Sequence, residues 1–255
     1  MKKLNVLLLF TMIAAALTFT SCSDDETTTT DCNDNGCPAG FECDAASGNC
    51  IEIVDDSVVT VESNITDDTT WETGKCYILA GRIAVENGAT LTIQEGVVVK
   101  GQAGAGANAT ALLVARGGTL NANGTAALPI VFTSVADEIT PADLAAGNYA
   151  SPNLDPNVNG LWGGVIVLGN APISAQNEND QDVSEINIEG IPTSDPNGLY
   201  GGSDAADNSG TISYISIRHG GTNIGAGNEI HGLTLGGVGS GTSISNVEVV
   251  ANPDD

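Results

Sequence analysis

Gly81-Arg82-Ile83-Ala84-Val85-Glu86-Asn87-Gly88-Ala89-Thr90-Leu91-Thr92-Ile93-Gln94-Glu95-Gly96-Val97-Val98-Val99-Lys100-Gly101 contains three apolar pairs, Ile83 with Val85, Leu91 with Ile93, and Val97 with Val99. The members of each pair are two residues apart, so on a strand both point to one side. Between the pairs stand Glu86-Asn87-Gly88 and Gln94-Glu95-Gly96, polar triplets ending in glycine that suit tight turns. Three short strands joined by two corners describe one coil of a parallel β-helix.

Neighbouring segments repeat the pattern. Asn87 to Ile93 aligns with Arg116 to Ala122 at an offset of 29, placing Leu91 on Leu120. Ile212-Ser213-Tyr214-Ile215-Ser216-Ile217 aligns with Ile244-Ser245-Asn246-Val247-Glu248-Val249 at an offset of 32, with apolar residues in the same four places. Repeats near thirty residues indicate stacked units. No long run carries apolar residues at helical spacing, which excludes leucine-rich and helical solenoids. A β-sandwich is the competing all-β arrangement, since its strands also recur between turns. Stacked coils are the expectation, with Thr and Asn at recurring positions forming side-chain ladders.

Composition agrees with an all-β chain. The 255 residues include 32 glycines, and 41% are hydrophobic but only 4% aromatic. β-Branched residues with Gly, Asn and Thr favour strands and turns over helices. There are 32 acidic against 7 basic residues, a formal charge of −25. Such a surface repels phosphate backbones, so nucleic acid is excluded as a partner.

The N-terminus reads as export machinery. Lys2 and Lys3 precede an apolar run from Leu4 to Phe19, interrupted by Thr11 and Thr18 and too short for a membrane span. Residues 1–21 are therefore a signal peptide. Phe19-Thr20-Ser21-Cys22 resembles a bacterial lipobox, which implies that Cys22 is lipidated and anchors the chain to a membrane. Ser23-Asp24-Asp25-Glu26 resembles the acidic export signal of Bacteroidetes lipoproteins, which implies display on the outer face of the outer membrane. Residues 22–30, closing with Thr27 to Thr30, form a polar tether that has no apolar surface to bury.

Residues 31–51 form a small module. Cys32, Cys37, Cys43 and Cys50 alternate with Gly36, Pro38, Gly40 and Gly48. In an oxidising space two disulfides are expected, because so short a segment cannot fold on apolar burial alone. Three pairings are open from the spacing. The motif is similar to small EGF-like or Dickkopf-like knots, and a rigid spacer is the expected role. Cys76 lacks a nearby histidine and reads as a buried or partner-seeking thiol.

Residues 52–255 form the β-helix. The blocks Gly88 to Gly96, Pro129 to Ser134, Leu161 to Ala171 and Gly232 to Thr242 resemble those of a widespread family of Bacteroidetes surface lipoproteins. The resemblance implies a right-handed parallel β-helix and names no activity. Members of that family continue beyond the equivalent of Asp255, so a C-terminally truncated chain is expected. Val135 to Asn159, with Pro141, Pro152 and Pro156 and a short helix at Pro141 to Ala146, interrupts the coils, as do residues 174–185 and 191–210. Loops on a rigid solenoid are where binding concentrates.

Parallel β-helices often act on acidic polysaccharides, a reaction that needs a basic residue and calcium. Beyond the signal peptide the basic residues are Lys75, Arg82, Lys100, Arg116 and Arg218. Arg218 with His219, ending a strand beside Gly220-Gly221, is the candidate pair. Asp204 and Asp207 are candidate carboxylates for glycoside hydrolysis or for a calcium ion. Trp162 reads as packing at a coil corner rather than as a sugar platform. The sequence thus leads to a non-enzymatic surface lipoprotein for adhesion or carbohydrate binding, with a polysaccharide or surface-protein ligand. A polysaccharide lyase or glycoside hydrolase on the same scaffold is the rival, decided by whether Asp204, Asp207, Arg218 and His219 converge.

Overall fold

The computed structural model describes residue 37 and residues 41–44, 46–52, 57–104, 108–177, 179–225 and 228–253. The chain divides into two compact units, Met1–Val54 and Asp55–Asp255. In the first, Phe41–Cys43 pairs antiparallel with Cys50–Glu52. A disulfide joins Cys37 to Cys50, and Cys43 is disulfide-bonded as well. Cys22, Cys32, the signal peptide and the tether lie outside the described residues.

The second unit is a three-sided solenoid of parallel strands. Face A stacks Val58–Val61, Cys76–Leu79, Val98–Gly101 and Ile130–Ser134. Face B stacks Thr69–Trp71, Thr90–Ile93 and Thr119–Asn123. Face C stacks Arg82–Val85, Ala111–Val114, Gly164–Leu168 and Leu233–Gly236. The long strands Gly210–Arg218 and Ser243–Val250 each serve faces B and A in turn. They turn the corner at Tyr214 and Asn246, whose φ angles are 49° and 53°.

The three apolar pairs of the opening stretch all point into one core. Ile83, Val85, Leu91, Ile93, Val97 and Val99 are buried there with Leu112, Leu120, Phe132, Val165 and Ile217. Leu91 pairs with Leu120 and Ile212 with Ile244, so both repeats identified from sequence are vertical neighbours. The thirty-residue spacing is not general, however. Thr70 stacks on Thr92 and Cys76 on Val98, so an uninterrupted coil is shorter, whereas Leu120 stacks on Gly210 across a large insertion. Offsets of 29 and 32 reflect coils carrying extra loop residues.

Face B is polar outside. Thr70, Thr92, Asn121, Thr211 and Ser243 occupy one row in register, and Ser213 Oγ donates to Asn123 Oδ1 at 3.2 Å one row on. The expected ladder of small polar residues is thus present. The outsides of faces A and C carry apolar patches, mixed on face A with Lys100, Thr133, Ser216 and Arg218, and other segments pack on these patches. Cys76, Val98 and Val131 on face A are packed by Ile139 and Leu144. Leu113, Ile166 and Leu168 on face C are packed by Ile191 and Ile230. The insertions that interrupt the coils thus contribute buried residues, Ile139, Leu144 and Ile191, to a second layer.

Candidate functional site

The insertion on face A is built to stay in place. Its helix, Pro141–Ala145, begins at Thr140 with a capping box formed with Asp143 and with proline in the first turn, where no amide donor is needed. Asp137 is fully buried and organises the approach. Its carboxylate accepts hydrogen bonds from Thr133 Oγ1 at 2.9 Å, Ser151 Oγ at 2.8 Å and the Ile139 amide at 3.1 Å. Lys100 Nζ donates to the Asp137 carbonyl at 2.6 Å. Val135 to Asn159 is a strap held down by a satisfied buried network.

Where the strap runs on past its helix it forms one wall of a groove of about 380 Å³, with Tyr149, Leu154 and Pro156 facing Arg218, His219 and Glu248. Arg218 and Glu248 project outward from face A in successive coils. Ser216 lies directly beside Glu248 in the strand register and links them. Its hydroxyl donates to Glu248 Oε2 at 2.6 Å and accepts from Arg218 Nε at 2.8 Å. Arg218 Nη2 stands 4.0 Å from the same carboxylate oxygen, with the arginine side chain 9% exposed and the glutamate 62%. Burial pushes the Arg218 guanidinium below its ordinary range, while Glu248 and Asp137 favour its charged form.

Two neighbours fix the end of this strand. Trp162 is fully buried and its indole N–H donates to the Arg218 carbonyl at 2.8 Å. It lies against Gly101, where a Cβ would come within 2.7 Å of the ring. Trp162 is thus core packing, as its sequence context suggested. His219 adopts φ 56° and is buried, with Nδ1 2.5 Å from the Val158 carbonyl. A carbonyl only accepts, so Nδ1 carries the proton and the ring ties strap to coil.

The sequence candidates fall in two places. Arg218 and His219 line the groove; Asp204 and Asp207 are not among its lining residues. Asp204 Oδ1 accepts from the Ala206 amide at 2.9 Å, and Asp207 Oδ2 from Ser209 Oγ at 3.1 Å and the Gly239 amide at 3.4 Å. Both stabilise the turn preceding Gly210–Arg218. Among the described residues no group of three or more His, Cys, Asp or Glu gathers as a metal cage would require. Cys76 is a free, buried thiol whose pKa is raised by burial, partly offset by Lys100.

The other basic residues serve the fold. Arg82 pairs with Asp195 at 3.0 Å, and Arg116 reaches Glu185 and the Gly201 carbonyl, clamping the insertion on face C. Lys75 pairs with Glu72 at 3.1 Å. Sequence reasoning missed Ser216, Glu248, Asp137 and Tyr149. The first two were legible, because the offset-32 alignment sets Ser216 on Glu248.

A family model described as a pectate-lyase like beta helix domain matches residues 63–147 and 150–255. No curated protein and no solved structure matches the chain.

Proposed function

This chain belongs to the pectate-lyase-like β-helix family, and on that premise we propose that it is a surface lipoprotein that captures carbohydrate in the groove beneath the strap without cleaving it. The supporting observation is the economy of the groove. It offers one guanidinium, one adjoining carboxylate and an aromatic wall, the mixture of apolar surface and few oriented polar groups that ligand sites use. The remaining cations among the described residues are engaged elsewhere, and although burial lowers the Arg218 pKa, the Glu248 and Asp137 carboxylates favour its charged form, which suits a binding partner better than a base. In this reading Cys22 carries the lipid, residues 22–30 form the tether and the cysteine module is the spacer. The acidic stretch directs the chain to the outer face of the outer membrane, and the coils take the right-handed sense usual for parallel crossovers.

A glycan array probed with residues 23–255, followed by product analysis on every polymer that binds, tests this directly. Retention without shortening of the polymer is the expected result. Release of unsaturated oligosaccharides would transfer the proposal to the lyase reading. That second reading rests on the lowering of the Arg218 pKa by burial, the direction a general base requires. Hydrolytic products that depend on Asp204 and Asp207 would instead favour a glycoside hydrolase, and calcium-dependent folding of that turn would assign those carboxylates a metal. Anchoring is tested by lipid labelling, expected to be lost in Cys22→Ser.

A further inference from the structure

Arg218 is nearly buried, yet little of its hydrogen-bonding capacity is used. A guanidinium has five N–H donors. Among the described residues one, on Nε, is taken by Ser216 at 2.8 Å, and the only ion pair is the long 4.0 Å approach to Glu248. The residue is 7% exposed and lines a cavity, so its terminal nitrogens face space that a ligand anion can fill. A planar fork of donors bordering a groove is suited to a carboxylate or sulfate. Glu248, beside it and largely exposed, is an acceptor for a positively charged donor.

The charge of the whole chain restricts the ligand further. A protein at −25 repels a polyanion, so a polymer with an acid on every sugar meets an unfavourable field before reaching Arg218. A ligand that carries its own compensating positive charge does not.

We propose that the groove recognises a zwitterionic sugar, its anionic group on the terminal nitrogens of Arg218 and its ammonium on Glu248. Ser216 is the positioning residue. By donating to Glu248 and accepting from Arg218 it holds the two charges side by side, presenting a receptor of matching polarity. Tyr149 and Pro156 supply the wall for the ring. This inference rests on the carbohydrate-binding reading and adds the chemistry of the ligand.

The test is calorimetric titration of the intact chain with glucosamine 6-sulfate and muramic acid, both zwitterions, which separate sulfate from carboxylate as the anion. The comparison ligands are their N-acetyl forms, which keep only the negative charge, and glucosamine, which keeps only the positive. At least one zwitterion should bind tenfold or more tightly than its N-acetyl form and than glucosamine. Arg218→Gln should abolish that binding, and Glu248→Gln should reduce the zwitterion to the level of its N-acetyl form. Ser216→Ala should weaken the zwitterion while leaving the affinity for the N-acetyl form within twofold, a split that general loss of structure would not produce. Circular dichroism of each variant establishes that the coils are intact. Equal binding of each zwitterion and its N-acetyl form, for glucosamine 6-sulfate and muramic acid alike, overturns the inference. If neutral or polyanionic glycans bind through Tyr149 while zwitterions gain nothing, carbohydrate capture stands and this inference falls. If glycine or taurine binds with the Arg218 and Glu248 dependence but no sugar does, the zwitterion receptor stands and carbohydrate capture falls.

Discussion

Tyr214 turns its backbone through the left-handed region at φ 49°, at a corner where earlier coils use glycine, Gly74 at 83° and Gly96 at 75°. An L-residue there costs roughly 1–2 kcal/mol, and the tyrosine ring is partly exposed. Tyr214→Gly should therefore raise stability by up to about 1 kcal/mol, the gain being limited by the extra freedom of glycine in the unfolded chain. Urea denaturation measures it, and a loss of stability would show that the ring contributes more than its exposure indicates. A second residue-scale prediction concerns pH. The Asp143 carboxylate is held below the usual range, first by the Thr140 hydroxyl at 2.6 Å and then by the Thr140 amide at 2.9 Å. Because its folded pKa is depressed, the capping contribution is complete above the ordinary value of 3.8 and disappears as pH falls through the lower folded value. An NMR titration should show Asp143 and the Thr140 amide shifting together at a pH below that of an unfolded aspartate; a shift at the ordinary value would remove the cap from the account.

The strap is the element on which both packing and site depend. Leu144, Ile139 and Cys76 belong to one buried cluster on face A, so the thiol reports whether the strap is seated. Native protein should resist alkylation at Cys76, since burial shields the sulfur and raises its pKa. Leu144→Ala removes a fully buried side chain, typically at a cost of 2–5 kcal/mol, and should accelerate alkylation many-fold while the coils remain folded. Unchanged protection would mean that the strap is held by the Asp137 network alone. This element also marks the limit of what sequence reveals. The opening stretch foretold three inward-facing pairs because period two is a local signal. The short helix at Pro141 to Ala146 was legible too, and the structure adds its capping box of Thr140 and Asp143. The seating of the strap was not, because Val98 and Val131 face outward on strands whose outer sides also carry Lys100 and Thr133, and nothing local says which segment covers them. The same holds for the site. Arg218 and His219 were visible as strand-end residues, and Glu248 through the repeat, but Tyr149 joins them only after the chain returns across the face.

Across the whole second unit, stacking is tolerant of coil length because only the three short strands of each coil must register with those above and below. Thr92 meets Asn121 and Asn121 meets Thr211 in one row although the intervening segments differ greatly in length. Loop closure becomes only slowly more costly with length, which permits such insertions. Stacking also brings Ser216 and Glu248, from successive coils, within hydrogen-bonding distance at 2.6 Å. The groove is therefore a property of two stacked coils and a strap together. Hydrogen–deuterium exchange with and without the tightest-binding sugar tests that construction most directly. Slowed exchange should be confined to residues 149–156, 216–219 and 247–250; slowing instead in residues 170–209, with these three segments unchanged, would contradict the account.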